Sequence, residues 1–225
     1  ATDVKAPEGD LAQGPFDLLD VRDGRRASEL IGAFKADTVI HMAGILSAKG
    51  EENPNFAWDI NVNGTVAMLE AAREHRCAFF FPSSIAAFGP TTPRVNTPQD
   101  TIQRPTTVYG IAKASMEMLC DYYHLKFNLD TRGLRFPGLI SYVTPPGGGT
   151  TDYAVHIYYD AITKGSYTSF IAKGTYMDMM YMPDALEAIV QLMEADPSKL
   201  KHRNAFNISA MSFDPEEIAQ SIRKV

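Results

Sequence analysis

The chain has 225 residues, with 27 acidic against 21 basic side chains and a formal charge of −6. That balance argues against nucleic acid or an anionic membrane as the main partner, because either calls for a concentrated basic surface. Hydrophobic residues at 45% and charged residues at 21% are ordinary for a globular domain, so the chain is expected to fold around a sizeable core.

Read in chain order, the first two thirds alternate strand-like and helix-like segments. ATD at the start is strand-like, and FDLLDV ends in Asp20 and Val21. Ala27, Leu30, Ile31 and Phe34 share one helical face. DTVIHMAG at 37–44 is a short apolar run that fits a strand buried on both faces, as do AFFFPSS at 78–84 and TRGLRF at 131–136. Val62, Val66 and Leu69 mark a helix between the first two of these runs, and Met116, Leu119, Tyr123 and Phe127 mark one between the last two. Strands separated by helices of this length predict βαβ units and a doubly wound parallel sheet of the Rossmann type over residues 1–140.

Past Ser141 the pattern changes to a smaller, mainly substrate-binding lobe over 141–225, with some segments expected to return to the sheet. VTPPGGGTTD reads as a loop, 152–163 as a helix, and the residues up to Met182 as a looser polar and aromatic stretch. A helix is expected from Pro183, with Leu186, Ile189, Val190 and Met193 in phase. FDPEE places Asp214 as N-cap, Pro215 at the first helical position and Glu217 at the third, a capping box.

Two cysteines, Cys77 and Cys120, form no CxxC pair, and there is no HExxH among the five histidines, so no standard zinc or redox framework can be assembled and no metal is expected. Both read as buried thiols of a reducing compartment. No apolar run approaches the roughly 18 residues of a membrane span, and the N-terminus lacks signal or transit character; a cytoplasmic protein is the expectation.

YGIAK, from Tyr109 to Lys113, opens a helix. A tyrosine and a lysine four residues apart share a helical face, so the ammonium can sit near the phenol and favour its ionised form, which makes tyrosine usable as a base. The same spacing also arises by chance on many helices. Ser83 and Ser84 end the apolar run at 78–84, where open parallel sheets place their ligands, although a Ser-Ser pair equally suits a turn or a helix cap.

Together with HMAG at 41–44, these residues resemble the extended short-chain dehydrogenase/reductase family. The resemblance implies an NAD(P)-binding Rossmann sheet and a catalytic set of Ser84, Tyr109 and Lys113, with Ser84 rather than Ser83 chosen by its distance from Gly89. It also implies adenine contacts at Asp20 and Val21, and cofactor contacts at Met42, Ala43, Gly44, Asn61, Tyr109 and Lys113. LRFPG at 134–138 resembles the segment packed on the nicotinamide, which points to Phe136 and Leu139. Asp3 matches the ribose-binding acid, whose charge repels a 2′-phosphate and favours NAD over NADP. The family's GxxGxxG has no counterpart among the glycines here, so the chain is expected to start at the family's second strand, to stop before its last elements, and to bind NAD weakly on its own.

Within the family, Gly138 stands where the sugar-nucleotide members commonly carry asparagine. PGLISYVTPPGGGTTDYAVHIYYDA, with FPSSIAAFGP, RPTTVYGIAK and MYMPDA, instead resembles the short-chain L-threonine 3-dehydrogenases. That resemblance implies oxidation of L-threonine by NAD, with the amino acid received by Ser47, Ser84, Tyr109, Gly149, Thr150 and Thr151. It also implies a homodimer built on the helices beginning near Asn61 and Tyr109. A sugar-nucleotide epimerase or dehydratase of the same fold, and a truncated, non-catalytic binding module, are the alternatives.

Overall fold

The computed structural model describes residues 1–8, 14–143 and 145–224; Thr144, within the loop expected after Ser141, lies outside the described residues. Strands β1 (Thr2–Asp3) and β2 (Asp17–Leu18) pair in parallel. They are followed by α1 (Gly24–Phe34), β3 (Thr38–Ile40), α2 (Ser47–Glu52) and α3 (Pro54–Trp58). A π-helical segment, Asp59–Gly64, joins α3 to α4 (Thr65–His75) without a break. Then come β4 (Ala78–Ser84), a 3₁₀ turn at Ile85–Ala87, α5 (Val108–Phe127), β5 (Thr131–Phe136) and β6 (Gly138–Ile140). The remainder holds a 3₁₀ turn at Thr150–Asp152, α6 (Tyr153–Lys164), β7 (Met177–Tyr181), α7 (Met182–Glu194), β8 (Phe206–Asn207), β9 (Met211–Phe213) and α8 (Pro215–Ile222).

The central sheet has the order β3-β4-β5-β8, all parallel, with Ser84 at the end of β4 opposite Phe136 at the end of β5. Its doubly wound character follows from the alternation of side chains along a strand. In β4, Phe79 and Phe81 enter a core shared with Leu30 and Ile31 of α1, Leu69 of α4, and Met116 and Cys120 of α5. Phe80 points the other way, into a cluster with Leu134, Phe136, and Ala185 and Ile189 of α7. A strand that feeds two cores reads as an uninterrupted apolar run, and losing any one of these rings costs about 3–5 kcal/mol. A second, three-stranded sheet pairs β6 with β7 in parallel and β7 with β9 in antiparallel. Against it lies a third cluster of Tyr153, Ala154, Ile157, Met179 and Ile218, the core of the C-terminal lobe.

Several expectations need correction. The strand expected over 37–44 is only Thr38–Ile40; HMAG lies beyond it, with one further bond from the His41 N–H to the Phe80 carbonyl. Phe34 is exposed, leaving Ala27, Leu30 and Ile31 as the buried face of α1, and Phe127 at the end of α5 is exposed as well. In α7 the inward residues are Ala185 and Ile189 with Ala188, Leu192 and Met193, whereas Leu186 and Val190 are exposed. The stretch expected to be irregular up to Met182 contains β7. The capping box at Asp214 is present in both directions, and both cysteines are buried thiols, raised in pKa by burial.

Candidate active site

The site grows from the carboxyl end of β4. Ser84 accepts the Ala86 N–H at 3.2 Å and starts the 3₁₀ turn, while Thr107 caps α5 by accepting the Gly110 N–H at 3.0 Å. The first turn of α5 presses so closely on that turn that a Cβ on Gly110 would stand 2.2 Å from the Ala86 carbonyl oxygen. Glycine after Tyr109 therefore lets the helix close in, and the Tyr109 hydroxyl comes within hydrogen-bonding reach of Ser84.

One turn later Lys113 is buried, donating to the Pro82 carbonyl and lying 4.6 Å from the Phe81 ring centroid and 5.5 Å from that of Tyr109. Burial brings its ammonium down to about 8, with Glu117 and Cys120 acting in the opposite sense. Burial also raises the Tyr109 phenol, and the bond with Ser84 only partly offsets it. The expected ionisation of Tyr109 by its lysine is thus not the resting state: the phenol is neutral and the ammonium sits against its ring face. Ser83 is committed elsewhere, donating to the buried Glu117 carboxylate.

The end of β3 is organised from behind. Thr65 donates to the Asn61 carbonyl at 2.7 Å, so its oxygen must accept the N–H of His41 Nε2 at 3.0 Å. That chain fixes Asn61, whose amide grips Ile45 from both sides: Nδ2 donates to its carbonyl at 2.9 Å and Oδ1 accepts its N–H at 2.7 Å. Asn61, expected to touch cofactor, is therefore buried and spends its amide on shaping the turn after HMAG. Met42, Ala43 and Gly44 are exposed on that turn.

Asp3 ends β1 with an exposed carboxylate that accepts the Lys5 N–H at 3.0 Å. Asp20 is tied to Arg22, whose Nη2 donates at 2.6 Å and whose hydrogen bonds bring the carboxyl down to about 2. Val21 packs on the core. Phe136 is buried and Leu139 half-buried beside it.

Toward the lobe, Ser47 is the first residue of α2, and the glycine run lies along it: the Cβ position of Gly147 is 3.1 Å from Leu46 and that of Gly148 4.0 Å from Lys49. The N–H groups of Gly148 and Gly149 both go to the Asp152 carboxylate, at 2.8 and 2.7 Å. Thr150 is exposed, while Thr151 turns inward. At Gly138 a Cβ would stand 2.3 Å from the Met179 sulfur and 2.6 Å from Thr151 Cβ, so no larger residue fits there. The sequence reading missed Glu117, Arg135 and Gln103, a buried polar cluster behind Ser83; the four-residue step from Lys113 to Glu117 was the signal available. Among the described residues no three His, Cys, Asp or Glu side chains gather to hold a metal ion, and no helix is long and apolar enough to cross a membrane.

A Rossmann-like parallel sheet with serine, tyrosine and lysine at one strand end defines a class of nicotinamide-dependent enzymes. Residues 2–209 match the model of the NAD dependent epimerase/dehydratase family, and the chain belongs to that family. It is 59% identical over its whole length to an uncharacterized epimerase/dehydratase of Staphylococcus aureus, of which it spans 70%. Among solved structures, an L-threonine dehydrogenase from Clostridium difficile superposes with a TM-score of 0.96 at 59% identity, over 99% of this chain and 70% of that one. A monomeric L-threonine 3-dehydrogenase from a metagenome gives 0.93 at 42%, over 99% of this chain and 72% of that one.

Proposed function

We propose that the protein oxidises L-threonine at C3 to 2-amino-3-oxobutanoate with NAD as oxidant. The likeness to the Clostridium difficile enzyme, close in both sequence and shape along nearly the whole chain, is the observation that carries this reading. The packing at Gly138 supports it: Thr151 and Met179 fill the place where sugar-nucleotide enzymes of this fold commonly carry asparagine.

The residues present fit NAD. Asp3 offers an exposed carboxylate at a strand end for the ribose hydroxyls, and its charge favours NAD over NADP. The exposed turn from Met42 to Gly44, braced by Asn61, offers its backbone, and the half-buried Val21 an apolar side chain. Asp20 is held by Arg22, which leaves its backbone as the group to meet adenine. Phe136 and Leu139 line the side toward the lobe. When bound, NAD supplies the acceptor for the hydride that leaves C3.

Tyr109, neutral at rest, must first give its phenolic proton to solvent; as phenolate it then takes the hydroxyl proton of the substrate as the C3–O double bond forms and the C3 hydride leaves. The buried Lys113 ammonium stabilises the phenolate that this requires, over a path short enough and dry enough for charge to matter. Ser84 donates to the substrate oxygen and keeps it facing Tyr109. Ser47, Thr150 and Thr151 receive the amino-acid end, and the Gly149 N–H becomes available to its carboxylate once Asp152 releases it.

Production of NADH on mixing the protein with NAD and L-threonine, followed by absorbance, tests the reading. Turnover of a UDP-sugar with no response to threonine would replace it by the epimerase reading, and failure to bind NAD would favour a non-catalytic module.

A further inference from the structure

Three consecutive residues at the end of β4 are held from three successive turns of α5. Ser84 meets Tyr109, the Pro82 carbonyl accepts from Lys113, and Ser83 donates to Glu117. Residues 109, 113 and 117 are spaced by four and so stand above one another on one helix face. The lowest of the three grips is the most elaborate. Glu117 is 3% exposed, takes Arg135 Nε at 2.9 Å and Nη2 at 2.8 Å from β5, and takes Gln103 Nε2 at 2.6 Å. A carboxylate is costly to bury even when fully paired, and an apolar pair would serve packing as well.

We propose that Glu117 is a positioning residue for Tyr109 and Lys113, fixing the end of β4 against α5 and supplying the buried negative charge that the Lys113 ammonium faces. The inference rests on the reading of Tyr109 and Lys113 as the catalytic pair.

Lys113 is surrounded by groups from four elements. On α5 these groups are Tyr109, Glu117 and Cys120; His41 approaches from the end of β3, the Phe81 ring from β4, and Arg135 from β5 through its contact with Glu117. Burial keeps His41 uncharged and Tyr109 and Cys120 protonated. Glu117 is therefore the one formal anion in the set, and it opposes the burial that drives Lys113 toward neutrality. A lysine that lost its proton could neither steady a phenolate nor hold the Pro82 carbonyl by a charged bond.

The test uses the resting 225-residue chain, with NMR of isotopically labelled lysine. In Glu117→Gln, which keeps shape and an acceptor but removes the charge, the titration midpoint of Lys113 should fall by about one pH unit or more. An unchanged midpoint in a folded variant overturns the proposal. If that variant does not fold, Ser83→Ala carries the test alone, since it removes one hydroxyl and leaves every charge in place. There the Lys113 midpoint should hold, while solvent exchange of its ammonium protons quickens by about tenfold as the strand end loosens, the equivalent of one lost hydrogen bond. Unchanged exchange overturns the proposal equally. Absence of threonine-dependent NADH formation would refute the proposed function and leave both spectroscopic results standing.

Discussion

Acidification from about pH 7.5 to pH 5 should cost the folded protein about 2 kcal/mol through His41 alone. Its imidazole is 3% exposed, stacked on Phe79 with ring centroids 5.9 Å apart, and spends its Nε2 proton on Thr65. Burial brings its pKa down from 6.5 to about 3, with the Lys113 charge acting in the same sense. In the unfolded chain the ring titrates near 6.5, so the unfolded state takes up the proton first. Stability therefore falls as the pH drops below about 6.5, by about 1.4 kcal/mol per pH unit, and keeps falling until about pH 3. At pH 5 that amounts to about 2 kcal/mol, a loss of about 4–8 °C in Tm for a chain of this size.

The window matters because carboxylates held below their usual range, such as Asp20 at about 2 and Asp130, add their own acid sensitivity only at lower pH. Urea unfolding at pH 7.5 and at pH 5, on the native chain and on His41→Gln, isolates the effect. Glutamine places an N–H donor near Thr65 but cannot titrate, so the variant should be less stable at pH 7.5 yet lose about 2 kcal/mol less on acidification. An equal loss in both proteins would refute the argument and assign the acid sensitivity to other groups.

Three further outcomes are expected. Tyr109→Phe should lower kcat for threonine oxidation by about 100-fold or more with NAD affinity nearly unchanged, as steady-state kinetics beside calorimetric NAD titration would reveal. Gly138→Ala should destabilise the protein by about 1–3 kcal/mol in urea unfolding, because its Cβ would meet Met179 and Thr151 at 2.3 and 2.6 Å; an unchanged midpoint would mean that the loop yields freely. Ile111, Met118, Tyr122 and Leu125 form an exposed apolar stripe along α5, so sedimentation at micromolar concentration should show a dimer that Leu125→Lys dissociates, and a strict monomer would rule the association out.

What was legible in the sequence was legible for physical reasons. AFFFPSS and TRGLRF became β4 and β5 with the expected limits: the phenylalanines of β4 feed cores on both faces, while in β5 the buried Arg132 and Arg135 are paired with Asp130 and Glu117. β7 escaped notice: MDMMY carries no β-branched residue, and its strand state comes from pairing with β6 and β9, which the local sequence does not encode. The phase of α7 was misread because Leu186 and Val190 fit an apolar stripe as well as Ala185 and Ala188, and small residues are what the close approach of α7 to β5 selects. Tyr109, Lys113 and Ser84 were visible as a spacing and a strand end. Glu117 was not, because a lone acid on a helix reads as a solvated face until its partners Arg135 and Gln103 are brought in from elsewhere.

The π-helical segment at Asp59–Gly64 makes the number of residues, and not only their identity, part of the specification of this region. A π turn holds one residue more than the α-helical path through the same rise. The rod from α3 to α4 thus changes phase midway, turning Asp59 to Arg22 and Asn61 to Ile45 while α4 keeps Leu69 and Ala72 inward. Deleting a single residue there would leave a continuous, well-bonded helix. It would also rotate everything on one side of the cut by about 100°, taking Asn61 off Ile45 and freeing the turn that HMAG begins. Substitutions along this rod can be tolerated one at a time, whereas a change of length by one cannot be absorbed without dismantling the brace behind β3.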